Sequence, residues 1–338
     1  MITKKLYLHE DREKSIDEAS KILKDGGIVA VPTETVYGLA ASALDKKAIK
    51  AVFAAKGRPQ DNPLIVHIDS MEMLESVAND IPQKAYECAN KFWPGPFTMV
   101  LNSSGYVCKE VSAGLDTVAV RMPSNEIVRE IISTAGLPLA APSANVSGSP
   151  SPVSAEHVIA DLDGKIDAVI MGDRCSVGVE STVVSINKDS ARLLRPGAVT
   201  VEMLKEVFPD IIIDDAILEE CKTEKVASPG MKYKHYSPKA ELYLIEGTTK
   251  EFSDFVNNKK DGAAVCYIED KPYIKVKAFE FGSAANQETM AYEIFDILRR
   301  LDSENIKKAY VHAPGKDGVG LAVYNRLIRA CAYRVIKL

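Results

Sequence analysis

Ser-Ile-Asp-Glu-Ala-Ser-Lys-Ile-Leu-Lys-Asp-Gly-Gly-Ile-Val-Ala-Val-Pro-Thr-Glu-Thr-Val-Tyr-Gly-Leu, residues 15–39, reads as helix, stop, buried strand and polar turn in direct succession. Ser15 with Glu18 three residues on predicts a capping-box start, and Ile16, Ala19, Ile22 and Leu23 share one helical face. Gly26-Gly27 stops the helix, and the uninterrupted apolar residues 28–31 read as a buried strand. The same alternation continues on both sides of the site strings described below. Helices are predicted over 45–56, 71–79, 82–92, 124–135, 154–162 and 200–207, and strands over 64–68, 97–101, 117–121, 137–141, 167–171, 181–186 and 191–195. Helices and strands in alternation indicate an α/β layer structure on a twisted mixed sheet. Polar strings then fall at strand ends, where loops can converge on a ligand.

Periodicity weakens after residue 208. Residues 209–239 read as a linker, with Ser228-Pro229, Ser237-Pro238 and a local excess of lysine. Its tyrosines and histidine are unusual for a spacer and suit either anchoring to a domain surface or closure over a site. From residue 240 a second αβ series begins, with strands near 241–245, 262–267, 273–280 and 307–312 and helices near 249–258, 286–301 and 320–332. The division is therefore 1–208, 209–239 and 240–338. Gly318-Val319-Gly320 lacks the third glycine and the acidic residue of a dinucleotide-binding turn and reads as a loop.

The 338 residues carry a formal charge of −5, which provides no general attraction to nucleic acid or anionic membrane. Six scattered cysteines without a Cys-x-x-Cys pair fit a reducing compartment better than a disulfide framework, and five dispersed histidines argue against a protein-built zinc site. No stretch approaches eighteen apolar residues, and the first residues lack the apolar core of a signal peptide. A cytoplasmic protein with no membrane segment is the expectation. Phosphate-loop, Gly-x-Ser-x-Gly and His-Glu-x-x-His patterns are missing.

The chemistry lies instead in short strings: 32–39, Lys56-Gly57-Arg58-Pro59 with Asn62-Pro63-Leu64, Arg121-Met122-Pro123, Pro142-Ser143-Ala144-Asn145 and Glu180-Ser181-Thr182. They supply cations, hydroxyls and amides, which grip anions and small polar molecules, and no nucleophile with its base. Arg58 offers a planar fork for phosphate or carboxylate and Lys56 a point charge, although cations there also complement a helix dipole. Residues 142–152 are dense in hydroxyls and precede a helix, a favourable place for an anion. Arg121 ends a buried strand and needs either a bound anion or an internal ion pair; Arg195 repeats the pattern. His67, Thr35 and Tyr37 suit structural roles equally well.

Lys56-x-Arg58 coupled to Ser143-x-Asn145 resembles the signature of the threonylcarbamoyl-AMP synthase family, the YrdC-like enzymes. Residues 32–39, Trp93-Pro94-Gly95-Pro96 and Arg195-Pro196-Gly197 agree with it. The resemblance covers about residues 10–207, and Ser228-Pro229-Gly230-Met231-Lys232-Tyr233 with His235-Tyr236 resembles the linker of the family's long form. It implies a YrdC-like catalytic domain followed by a smaller Rossmann-like domain. It also implies synthesis of threonylcarbamoyl-AMP and pyrophosphate from L-threonine, bicarbonate and ATP, for modification of adenosine in tRNA by a downstream tRNA threonylcarbamoyl transferase complex. Under that resemblance Lys56 and Arg58 are catalytic, Thr35, His67, Arg121, Ala141 and Ser181 take L-threonine, and Arg58, Asn62, Thr117, Ser143, Asn145, Ser151, Arg195 and Tyr236 take ATP. Mg2+ would arrive on the phosphates, and residues 228–238 would close over the pocket. Two other readings are a carbamoyl-adenylating module, whose zinc-finger cysteine spacing is missing here, and an RNA-binding YrdC-like protein. The net charge and the non-aromatic loops weigh against stable nucleic-acid binding.

Overall fold

A computed structural model describes residues 2–188, 190–219, 236–259 and 261–338. Among the described residues of the first unit, twelve strands join one sheet. They are β1 (Lys4–Tyr7), β2 (Val29–Val31), β3 (Gly38–Ser42), β4 (Ile65–His67), β5 (Ala78–Asn79), β6 (Phe97–Ser103), β7 (Thr117–Arg121), β8 (Leu139–Ala140), β9 (Ala168–Met171), β10 (Thr182–Ile186), β11 (Ala191–Arg195) and β12 (Ile212–Ile213). The order is β1-β9-β2-β3-β8-β4-β7-β6-β10-β11-β12, with β5 paired to β6. Parallel and antiparallel pairs mix: β4 runs parallel to β7, β6 antiparallel to β7, and β10 parallel to β6.

Helices α1 (Arg12–Lys24), α2 (Lys46–Lys56), α3 (Met71–Val77), α4 (Gln83–Phe92), α5 (Glu126–Ala135), α6 (Ala155–Leu162) and α7 (Val201–Lys205) cover this sheet. α1 begins before the expected capping box. Asp11 is the cap, accepting from the Lys14 amide at 3.0 Å, while Ser15 Oγ donates to the Tyr7 carbonyl. An N-cap carboxylate satisfies an orphan amide and complements the helix dipole, so the helix starts at Asp11, one turn before Ser15. β1 and β3 are strands that the apolar periodicity does not mark. β12 carries the sheet into the 209–239 range assigned to the linker, and residues 220–235 lie outside the described residues.

Among the described residues, the second unit has a sheet of five parallel strands, ordered β15-β14-β16-β13-β17. These are β13 (Glu241–Glu246), β14 (Ala263–Cys266), β15 (Ala278–Glu280), β16 (Lys308–His312) and β17 (Val335–Lys337), with helices α8 (Thr249–Lys259), α9 (Gln287–Ser303) and α10 (Gly320–Ala330). Parallel strands require crossover helices, giving the expected Rossmann-like layering. Every residue of α10 is buried, including Asn325, Arg326 and Arg329. One apolar cluster runs from Val179 and Val199 of the first unit to Phe295, Leu321 and Leu327 of the second.

Polar contacts align the two units. Arg299 of α9 forms a fork on Asp161 at 2.8 and 3.1 Å and donates to the Pro150 carbonyl at 2.6 Å. Arg174 pairs with Glu293 at 3.0 Å and stacks on Tyr292, 4.0 Å from the ring centre. Gly178, at φ +84°, lies so close to α9 that a Cβ there would meet the Ala291 carbonyl at 2.4 Å. No helix of the described residues is long and apolar enough to cross a membrane.

Candidate active site

Strand alternation places Ala119 and Arg121 on the sheet face opposite Val118 and Val120, which enter the main core. Parallel register sets His67 beside Arg121 and Ile65 beside Ala119. Ile65, Val100, Ala119, Val183 and Leu194 form a small apolar patch on that face. A cleft of about 680 Å³, counted to its open mouth, lies over this part of the sheet. The turn 32–37, the loops 58–64 and 141–151, the residues leading into β10, the end of β11 and Tyr236 form its walls.

Of the sequence-predicted residues, Thr35, Arg58, His67, Arg121, Ala141, Ser143, Asn145, Ser151, Ser181, Arg195 and Tyr236 all line this one cleft. Lys56, Asn62 and Thr117 are not brought to its surface. Thr117 is half-buried and pairs with Asn102 at the other end of β7. Asn62 is fully buried, and neither atom of its amide has a hydrogen-bond partner among the described residues.

The divergence of Lys56 from Arg58 follows from Gly57. It ends α2 in the left-handed conformation (φ +59°), with Gly57 N–H on Ala54 O and Arg58 N–H on Phe53 O. Glycine takes that conformation without a Cβ penalty, and the reversal sends the neighbouring side chains in different directions. Lys56 Nζ turns inward and donates to the carbonyls of Ser143 and Asn145, the latter at 2.7 Å, and to Asn145 Oδ1 at 3.3 Å. Burial, with Arg58 nearby, pushes its pKa well below the usual lysine range. All three contacts are acceptors of the 143–145 loop, so this lysine braces the loop from behind. Arg58 turns to the cleft and packs over Phe53.

Asn145 completes the brace. Its Nδ2 donates to the Val146 and Ser149 carbonyls at 2.9 and 2.8 Å, and its Oδ1 accepts from Ser143 Oγ at 2.6 Å. Its amide is thus committed within the loop although the residue lines the cleft. The end of the linker holds this loop from outside and ties it to the second unit. Ser237 N–H donates to Gly148 O at 2.9 Å, and Ser237 Oγ donates to Ala330 O at 3.2 Å.

On the sheet, Arg121 takes the internal ion pair of the two alternatives left by its sequence. Its Nη2 lies 2.8 Å from Glu34 Oε1 as an internal ion pair, and its Nη1 donates to Thr35 Oγ1 at 2.8 Å beside the cleft. Burial raises the Glu34 pKa, but the charge of Arg121 and the hydrogen bonds from Arg121 and from backbone amides together hold the carboxyl below its ordinary value. His67 is 3% exposed, and its Nδ1 has no hydrogen-bond partner among the described residues. Burial, then the Arg121 charge, pushes its pKa down to about 3, so the imidazole is neutral. Tyr37 is fully buried and donates to Gly172 O, a structural role.

Arg195 donates to the Ser181 carbonyl at 3.0 Å and to Ser181 Oγ at 3.1 Å, and Ser181 Oγ meets Thr98 Oγ1 at 2.7 Å. Burial brings the Arg195 pKa down to about 10, which leaves it charged at neutral pH. Glu180, absent from the sequence-derived site, is the cleft's carboxylate among the described residues. It accepts from Ser151 Oγ at 2.5 Å and from Arg326 Nε of α10 at 2.8 Å. Among the described residues no cluster of His, Cys, Asp and Glu could hold a metal ion. The cleft therefore combines three guanidinium groups, several hydroxyls and one neutralised carboxylate, a donor set for anionic polar ligands.

A family model described as Telomere recombination, covering Sua5, YciO and YrdC proteins, matches residues 21–197. A second, described as Threonylcarbamoyl-AMP synthase, C-terminal domain, matches residues 199–332. A threonylcarbamoyl-AMP synthase of Pyrococcus abyssi is 43% identical, with 96% of each chain covered. That of Bacillus subtilis is 41% identical, covering 96% of this chain and 95% of the relative. Among solved structures, P. abyssi Sua5 complexed with L-threonine superposes with a TM-score of 0.90 at 40% identity, covering all of both chains. With both family models in order and full-length relatives above 40% identity, the chain belongs to the threonylcarbamoyl-AMP synthase family.

Proposed function

We propose that this chain is an L-threonylcarbamoyladenylate synthase, a nucleotidyltransferase that joins L-threonine, bicarbonate and ATP. The threonine amine adds to the carbon of bicarbonate with loss of water. An oxygen of the resulting carbamate attacks the α-phosphorus, and the bond to pyrophosphate breaks. No enzyme nucleophile is required. The reaction needs alignment of three ligands and neutralisation of developing phosphoryl charge.

The observation that carries this reading is the convergence of Thr35, His67, Arg121 and Ser181 with Arg58, Ser143, Ser151 and Arg195 around one cleft. L-threonine belongs on the sheet, where Arg121 takes the carboxylate and neutral His67 offers hydrogen bonding without competing for charge. The P. abyssi relative complexed with L-threonine supports L-threonine as a ligand. ATP belongs against the 143–151 loop, with Arg58 and Arg195 on the phosphates. It enters as its Mg2+ complex, and the ion stays on the phosphates because Glu180 is already engaged by Ser151 and Arg326. Lys56 acts through the loop it braces. The product would pass to a tRNA threonylcarbamoyl transferase complex in the cytoplasm.

The test is threonine-dependent release of pyrophosphate from ATP in bicarbonate buffer, comparing wild type with Arg58→Ala. Release that ignores threonine overturns the reading, and release unchanged in Arg58→Ala removes Arg58 from the phosphate site.

A further inference from the structure

Arg326 lies in the second unit, fully buried in α10, yet its contacts are with the wall of the cleft. Its Nε donates to Glu180 Oε2 at 2.8 Å and its Nη2 to the Glu180 carbonyl at 3.3 Å. Its Nη1 donates to the Pro196 carbonyl at 2.9 Å, directly after Arg195, and to Asn325 Oδ1 at 2.9 Å. The guanidinium carbon is 5.8 Å from the centre of the Tyr236 ring. Glu180, Arg195 and Tyr236 all line the cleft, whereas Arg326 does not. One side chain of the second unit therefore holds three parts of the wall from behind.

We propose that Arg326 is a positioning residue for the nucleotide, and that the second unit completes the active site by supplying it. This rests on the reading that ATP occupies the cleft. The reasoning is electrostatic. Glu180 presents a buried carboxylate where a polyanion must enter, and an unpaired carboxylate there opposes phosphate binding with little solvent screening. Arg326 neutralises that charge from outside the ligand volume. With Glu180 Oε2 held by Arg326, Oε1 remains free to fix Ser151, a loop residue of the nucleotide subsite. A first unit alone would carry Glu180 without the arginine bonded to it, leaving only the more distant charge of Arg195.

The experiment measures ATP affinity by calorimetry on the full chain, without threonine or bicarbonate, so that binding is read separately from turnover. The variants are Arg326→Met, Arg326→Lys, Glu180→Gln and the double Glu180→Gln/Arg326→Met. Arg326→Met should weaken ATP binding at least about tenfold and leave L-threonine affinity within about twofold, a tenfold change corresponding to about 1.4 kcal/mol. Arg326→Lys should retain part of the affinity, and the double variant should recover most of what Arg326→Met loses. If Arg326→Met does not fold, the double variant, balanced in charge, carries the test. A double variant as weak as Arg326→Met, or more than tenfold weaker than Glu180→Gln, overturns the proposal, as does an unchanged ATP affinity in Arg326→Met. Wild type that binds ATP but releases no pyrophosphate with threonine defeats the synthase reading alone, and wild type that binds no ATP defeats both.

Discussion

Acidification should weaken the first unit through His67 in a way that one substitution isolates. The native imidazole resists protonation down to about pH 3, because it is buried and lies beside Arg121. In the unfolded chain a histidine titrates near pH 6.5. Between those values the unfolded state holds a proton that the native state does not, so stability falls as pH falls. At 1.36 kcal/mol per pH unit, the drop from pH 6.5 to 5 amounts to about 2 kcal/mol from this residue. Glu34 adds acid sensitivity of the same direction, since its carboxyl is held below its ordinary value and its contribution is lost as pH falls through that lowered value. The comparison with His67→Gln removes the histidine part only. Urea unfolding followed by fluorescence suits the purpose, because the single tryptophan, Trp93, sits in the first unit's core. The wild type should lose about 2 kcal/mol more than His67→Gln between pH 7 and pH 5. Parallel pH curves for the two proteins would refute the argument that the native imidazole is held neutral.

Lys56→Met keeps the side-chain volume but strands the carbonyls of Ser143 and Asn145. A destabilisation of about 2 kcal/mol in the Trp93 transition is expected, with weaker ATP binding. Wild-type stability would mean that the ammonium does not brace the loop. Gly178→Ala places a Cβ 2.4 Å from the Ala291 carbonyl at a φ of +84°, forcing α9 away from the first unit. It should cost about 2 kcal/mol or more and resolve a second melting transition. A single transition at the wild-type temperature would contradict the close packing described.

Much of the layer order was legible because helix and strand periods alternate in the chain, and because caps such as Asp45 and Ser154 stand where the apolar pattern begins. β3 escaped notice for a physical reason. Gly38-Leu39-Ala40-Ala41-Ser42 is small and wholly buried, so it has no alternation to read, yet its pairing with β2 makes the hairpin that presents Thr33 and Thr35. At the site, residue chemistry was readable and direction was not. Lys56 and Arg58 are both cations beside one helix end, and only the left-handed turn at Gly57 assigns one to the loop and the other to the cleft. The pairing of Glu180 with Arg326 was hidden by distance. They stand 146 residues apart, and the arginine sits within a run of apolar helix residues that gives no sign of a partner.

Gly148 and Pro150, on the loop proposed to take the nucleotide, are tied to Ser237 and Arg299. Ser237 is tied in turn to the end of α10. On the proposed placement of the nucleotide, its loop and the domain docking share one set of bonds, and thermodynamic reciprocity governs them. Whatever free energy docking adds to nucleotide affinity, bound nucleotide must return to the docked arrangement.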